Sequence, residues 1–185
     1  MTIDRYTSFF LNSASSVVHL ETIEITHASF KGGNNNGGNT YSIVRNAMYG
    51  LTATLETGVT RNFLYYPLQL TPSGASDDLD QKIKVALGDL GDLLSAERDN
   101  WIDWCATNIA AIKDDPSIRK PTMVYRVFRS DDLSAPIDGP FTYEVPTVVR
   151  KRDAASFEAG APKLNTNQTG EIYNMTTFPM LRGFV

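Results

Sequence analysis

Residues 51–70 read LTATLETGVTRNFLYYPLQL, and the alternation in this stretch decides the class of fold. Leu51, Ala53 and Leu55 fall on one side of an extended chain, with Thr52, Thr54 and Glu56 on the other, the period of two that a half-buried strand shows. Thr57-Gly58 supplies a turn. On the return strand Leu64, Tyr66, Leu68 and Leu70 share one face and Phe63 and Tyr65 the other. A strand apolar on both faces is covered twice, by core on one side and by a helix or a second subunit on the other. Pro67 cannot donate to a ladder, so an edge or a bulge is expected there.

The same period continues in both directions. Upstream, HLETIEITHASF places Leu20, Ile23 and Ile25 among Glu21, Glu24 and Thr26, as in a half-buried strand. It leads through the asparagine-glycine run KGGNNNGGN to a second strand, TYSIVRNA. Downstream, LDQKIKVALG alternates Ile83, Val85 and Leu87 against Lys82, Lys84 and Ala86. The period then lengthens. Leu90, Leu93, Leu94, Trp101, Trp104, Cys105, Ile109 and Ile112 fall three, four or seven apart, which predicts one helix over about 90–113. Asp89 or Asp92 is placed to cap it, Lys113 suits its C-terminal dipole, and Pro116 ends it. Strand patterns return in TMVYRVFRS, apolar on both faces, and in FTYEVPTVVRKR, where Phe141, Tyr143, Val145, Thr147 and Val149 are expected to point inward. DAASFEAGA continues that strand or pairs beside it. The expected fold is mainly β: an antiparallel sandwich or barrel with one long helix inserted before the last strands. Residues 1–160 form the domain, and 161–185, where no period survives, form an extended arm.

Composition narrows the function classes. The chain is 42% hydrophobic and 21% charged, ordinary for a globular protein. A net charge of −4 argues against nucleic-acid binding, which needs clustered Lys and Arg. Arg150-Lys151-Arg152 is a short run met at once by Asp153, and reads as a solvated strand end. No stretch is long enough to span a bilayer, and MTIDRYTSFF lacks the charged head and apolar run of a signal peptide, which leads us to expect a protein made in a cytoplasm. With Cys105 the only cysteine, neither an intrachain disulfide nor a cysteine metal cluster is available.

Candidate chemistry is thin. His19 and His27 lie on or beside one strand, and neighbouring carboxylates on that strand point to alternate faces, so a structural role is preferred to a metal site. Cys105 sits in the helical stripe without a histidine partner and reads as a packing residue. Asp77-Asp78-Asp80 and Asp131-Asp132 lack the spaced oxygen ligands of a calcium loop and read as solvated. Trp101 and Trp104, three apart, are expected to anchor the helix to the sheet rather than to stack on a sugar. Nucleophile-elbow, zinc-protease and dinucleotide signatures are absent. No catalytic residue, metal or cofactor is expected.

Two segments stand out as contact surfaces. The loop holding Gly33, Asn35 and Gly37 reads either as a flexible hairpin tip or as a loop that orders on a partner. The ending TTFPMLRGFV crowds Phe178, Pro179, Leu181 and Phe184 into a terminus of the kind that is usually polar. Such an arm docks either on its own sheet, over the outer face of FLYYPLQL, or on a neighbouring subunit.

The segments ETIEITHASF, TATLETGVTRNFLYYPLQL, KIKVALGDL, MVYRVFRSDD and TTFPMLRG, in this order, resemble a family of small tail proteins from long-tailed bacteriophages and prophages. The resemblance covers roughly Leu20 to Gly183, and none of its marks is a catalytic signature. It implies a tail-tube-like β fold and a virion protein of the tail tip, similar in role to distal tail proteins, forming a ring between tail tube and hub. The implied partners are further copies of the chain (a hexamer favoured, a trimer possible), the tail tube protein, the hub and the tape measure protein. The alternatives left open are a hub subunit and a stand-alone β-sandwich module that binds host saccharide or protein.

Overall fold

The computed structural model describes residues 17–72, 82–88, 93–151 and 154–160. In chain order the elements are β1 (His19–Thr26), β2 (Thr40–Val44), β3 (Leu51–Thr54), β4 (Thr60–Tyr65), β5 (Leu68–Pro72), β6 (Lys82–Leu87), α1 (Leu93–Thr107), α2 (Ile109–Asp114), β7 (Thr122–Arg129), β8 (Asp138–Glu144), β9 (Val148–Lys151) and β10 (Ala154–Gly160). The strands form one sheet in the order β3-β4-β2-β1-β7-β8-β10-β6-β5, with β9 paired to β10 beside this path. The fold is therefore mainly β, with the helical segment before the last strands, as the periodicities predict.

Register explains the two cores. β1 lies antiparallel between β2 and β7, with Ile23 opposite Ile43 and Tyr125, and Ile25 opposite Tyr41 and Met123. These side chains share one face, and β5, β6 and β10 return over it, so that Leu68, Val85, Leu87, Phe157 and Ala159 join the same cluster. The other face carries Leu20, Val44 and Phe128, covered by Ala53, Leu55 and Phe63 of the 51–63 hairpin. β1 is thus buried on both faces, where alternation alone predicts one. The difference lies in its even-numbered residues, since Thr22 and Glu24 are buried polar groups with partners rather than solvated ones.

In the 51–70 stretch the first strand and the turn form as expected, but the return strand is not covered on both faces. Gly58 N donates to Leu55 O and Leu55 N to Val59 O across the turn. Phe63 is fully buried while Leu64 and Tyr65 are exposed. At Tyr66-Pro67 the return strand divides. β4 pairs in parallel with β2, and β5 crosses to pair with β6, so the leucines at 64, 68 and 70 do not line a single face. Pro146 divides the 141–152 stretch in the same way, into β8 and β9, which leaves Phe141 and Val149 exposed while Tyr143 and Val145 are buried. The predicted helix is interrupted once, at Asn108, whose side-chain amide donates to Trp104 O and so caps the end of α1. Its start before Leu93, with Asp89 and Asp92, lies outside the described residues, as do Asp77-Asp78-Asp80 and the arm 161–185. Lys113 occupies the last turn of α2, and Pro116 opens the 3-10 turn that follows.

Candidate functional site

Most of the polar side chains buried inside the protein hold elements together. Glu97 of α1 is buried, and one of its oxygens accepts hydrogen bonds from Gly32 N (2.6 Å), Tyr41 Oη (2.8 Å) and Lys31 N (2.9 Å), while Asn100 Nδ2 donates to the other at 3.0 Å. Burial works to raise its pKa, but these donors together hold the carboxyl below the usual range. The helix is thereby fastened to the asparagine-glycine loop. A Cβ on Gly32 would meet Tyr41 Oη at 2.6 Å and Glu97 Oε1 at 3.1 Å, so a side chain here would displace the Tyr41–Glu97 hydrogen bond.

On the second face an ion cluster bridges sheet and hairpin. Arg126 donates through Nε and Nη2 to both oxygens of Glu56, at 2.9 and 2.8 Å, and through Nη1 to Glu24. Glu24 also accepts from Ser42 Oγ at 3.1 Å, with Arg61 Nε 3.6 Å away. The fork from Arg126 lowers the pKa of Glu56. An arginine inside the apolar run MVYRVF is the sequence signal that announces such a pair, because a charge is almost never buried alone.

His27 has a structural setting. Its Nδ1 accepts from Ser29 N at 3.1 Å and lies 2.7 Å from Ser29 Oγ, which leaves Nε2 to donate to Ile118 O at 3.0 Å. Phe30, Trp101 and Trp104 surround the ring. Desolvation lowers its pKa. Ser29 is buried, so this serine-histidine pair presents no nucleophile to solvent. Trp101 and Trp104 do anchor the helical segment, through His27 and through a Trp101 Nε1 hydrogen bond to Arg119 O at 2.7 Å. Cys105 is half-buried rather than a core residue, its Sγ 3.7 Å from Arg119 O. Asp131 is not merely solvated, since both its oxygens accept from Arg129, at 2.8 and 2.6 Å, and Asp132 accepts from Ser134.

The predicted contact loop is ordered by its own hydrogen bonds. Gly33 N donates to Gly38 O, Asn34 exchanges hydrogen bonds with Ser42, and the amides of Asn34 and Asn35 both donate to Asn62 O of β4. Asn36 and Gly37 take the left-handed backbone conformation that these residue types tolerate. Gly37 faces open space, so part of the tip remains available for contact. Phe178, Pro179, Leu181 and Phe184 lie outside the described residues.

Three surface features escape sequence reading. The turn after β2 presents Met48 at 77% and Tyr49 at 104% exposure. It is pinned by Asn46, which bonds to His19 O and to Glu21 N, by Arg45 on Glu21, and by Gly50 N on Ala47 O. On the helical segment, Ile102 and Ile109 are each more than half exposed. A groove of about 570 Å³ lies on the outer face of the far wing, floored by Gln69, Thr71, Lys84, Ala86, Ser156 and Glu158. The Pro146–Val149 segment borders it.

Among the described residues no group of three or more His, Cys, Asp and Glu converges as a metal site would, and no helix is long and apolar enough to cross a membrane. Residues 7–162 match the family described as Domain of unknown function (DUF1833), and the chain belongs to that family. No curated protein matches it.

Proposed function

We propose that this family member is a structural component of a bacteriophage tail tip, made in the bacterial cytoplasm and built into the virion as a ring that links tail tube to hub. The observation that carries the reading is a pair of unlike apolar surfaces on separate elements: the rigid Met48-Tyr49 turn and the exposed Ile102 and Ile109 of the helical segment. A rotational ring uses head-to-tail contacts, in which one patch meets a different patch on the next copy. Aromatic residues and methionine are enriched at such contacts. The turn is held by hydrogen bonds to β1, so little ordering cost falls on association. The mainly β architecture and the sequence resemblance support the same reading, with tail tube, hub and tape measure proteins as neighbours. The engagement of Glu97, Arg126 and His27 in holding elements together favours a scaffold over a catalyst.

Sedimentation of the purified chain across a wide concentration range tests this. The subunit is 20.4 kDa, so a hexamer sediments at about 122 kDa, and a trimer, the expectation for a hub, at about 61 kDa. The double variant Met48→Ser/Tyr49→Ser is expected to shift the chain towards monomer with its fold unchanged. A chain monomeric at every concentration overturns spontaneous ring formation.

A further inference from the structure

We propose that the groove on the outer face of β5, β6 and β10 is occupied by the chain's own C-terminal segment, 161–185, with Phe178, Leu181 and Phe184 as its apolar anchors. The assignment does not depend on the ring.

The groove arises from side-chain size and register. Gln69, Ala86 and Ser156 lie side by side across the three strands, as do Thr71, Lys84 and Glu158, all directed away from the core that Val85, Phe157 and Ala159 fill. Ala86 and Ser156 are short, so the middle of this face is sunken. Val149, opposite Ser156, borders the depression and is 53% exposed. The result is a concave, mainly apolar surface of the size that ligand and peptide sites have. At one end Lys84 and Glu158 form an exposed ion pair at 3.5 Å.

The identity of the occupant follows from where the described chain ends. The last described residue, Gly160 of β10, is paired with Lys82, and Glu158 of the groove floor is only two residues earlier. Residue 161 therefore follows directly from the rim of the groove. The stretch 161–177 spans up to about 60 Å if extended, far more than is needed to turn back and bring Phe178 over Ala86. A segment tethered this closely meets its site at an effective concentration in the millimolar range, which a diffusing partner rarely matches. The sequence of the segment fits the surface: large apolar residues for the sunken floor, and Arg182 between Leu181 and Phe184 to meet Glu158.

Disulfide trapping in the full-length chain tests this. In a Cys105→Ala background, Val149→Cys is combined in turn with Phe178→Cys, Leu181→Cys and Phe184→Cys. The comparison series carries Val59→Cys in the β3–β4 turn, a position 44% exposed and so about as accessible as Val149. Under mild oxidation, at least one of the three arm positions is expected to close with Val149→Cys at least about tenfold faster than with Val59→Cys, giving a product of monomer mass on a non-reducing gel. Equal rates at all three positions would remove the segment from the groove. A rapid product of twice the monomer mass would place it on a neighbouring copy, which equally overturns the assignment. Neither outcome touches the ring reading, which sedimentation decides separately.

Discussion

Replacing Arg126 with methionine should destabilise the fold more than any other single change in the ion cluster. The Arg126 and Glu24 side chains are each only 7% exposed, whereas Glu56 is 33% exposed. Without the guanidinium, Glu24 keeps only the Ser42 hydroxyl at 3.1 Å and Arg61 Nε at 3.6 Å, the latter too long for a hydrogen bond. Glu56 loses both partners of its fork but can turn to water. Orphaning a buried charge costs about 3–5 kcal/mol, and that range is expected for Arg126→Met. Glu24→Met is the gentler change, about 1–3 kcal/mol, because Arg126 retains its two-bond fork to Glu56. In the double variant the Arg126–Glu24 contact is removed from both sides and methionine fills similar volume, so the remaining cost falls on Arg61, whose buried Nε loses Glu24. Exchanging a buried pair for apolar residues is often neutral, so the double variant should be more stable than Arg126→Met alone. Urea unfolding, with the m value checked for constancy, reads all three. A loss under about 1 kcal/mol for Arg126→Met, or simple additivity in the double variant, would refute the view that Glu24 depends on this partner.

The asparagine-glycine loop and His27 provide further tests. Gly32→Ala forces a Cβ against Tyr41 Oη and Glu97 Oε1 and should cost about 1–3 kcal/mol. Gly37→Ala meets nothing within 4 Å and carries only the strain of φ +67°, about 1–2 kcal/mol; a Gly32→Ala variant that unfolds thermally at the same temperature as the unaltered chain would refute the clamp. Burial lowers the pKa of His27 below its usual 6.5, so the unfolded chain takes up this proton first as the pH falls, and stability should decline from about pH 6.5 downward. His27→Gln should flatten that limb in a pH series of urea midpoints. The loss tied to Glu56 and Glu97, both held below the usual carboxyl value of 4.5, should begin only near that pH in either protein.

The strands were legible because period-two alternation reports a surface half in oil and half in water, and Val85, Leu87, Ala53 and Leu55 obey it. What the alternation could not report was where a strand changes partners. In FLYYPLQL nothing distinguishes a continuous strand from two strands joined at Tyr66-Pro67, since both leave the same residues extended. The missing donor at Pro67 marks the position, but the switch itself is made by distant residues: Val44 receives Tyr66 N, and Leu87 pairs with Leu68. Asn108 is a similar case. The helical stripe runs through it unbroken, and the interruption comes from a side chain that bonds back to Trp104 O rather than from a loss of periodicity.

The candidate contact surfaces divide along a different line. The asparagine-glycine loop was singled out for its composition, yet composition says only that the backbone can adopt left-handed turns. It does not say that Asn34 and Asn35 spend their amides on Asn62 of the next hairpin. Conversely, NAMYG carries no compositional signal at all. Met48 and Tyr49 become notable only because Asn46 and Arg45 tie the turn to β1, so that two large apolar side chains are held in water by a rigid frame. A flexible turn could fold such residues back onto the surface. This one has its hydrogen bonds committed elsewhere, so a partner would meet the two side chains already held in place. Under the ring proposed above, association is what relieves this rigid apolar surface, and the mass of the assembled species is its direct readout.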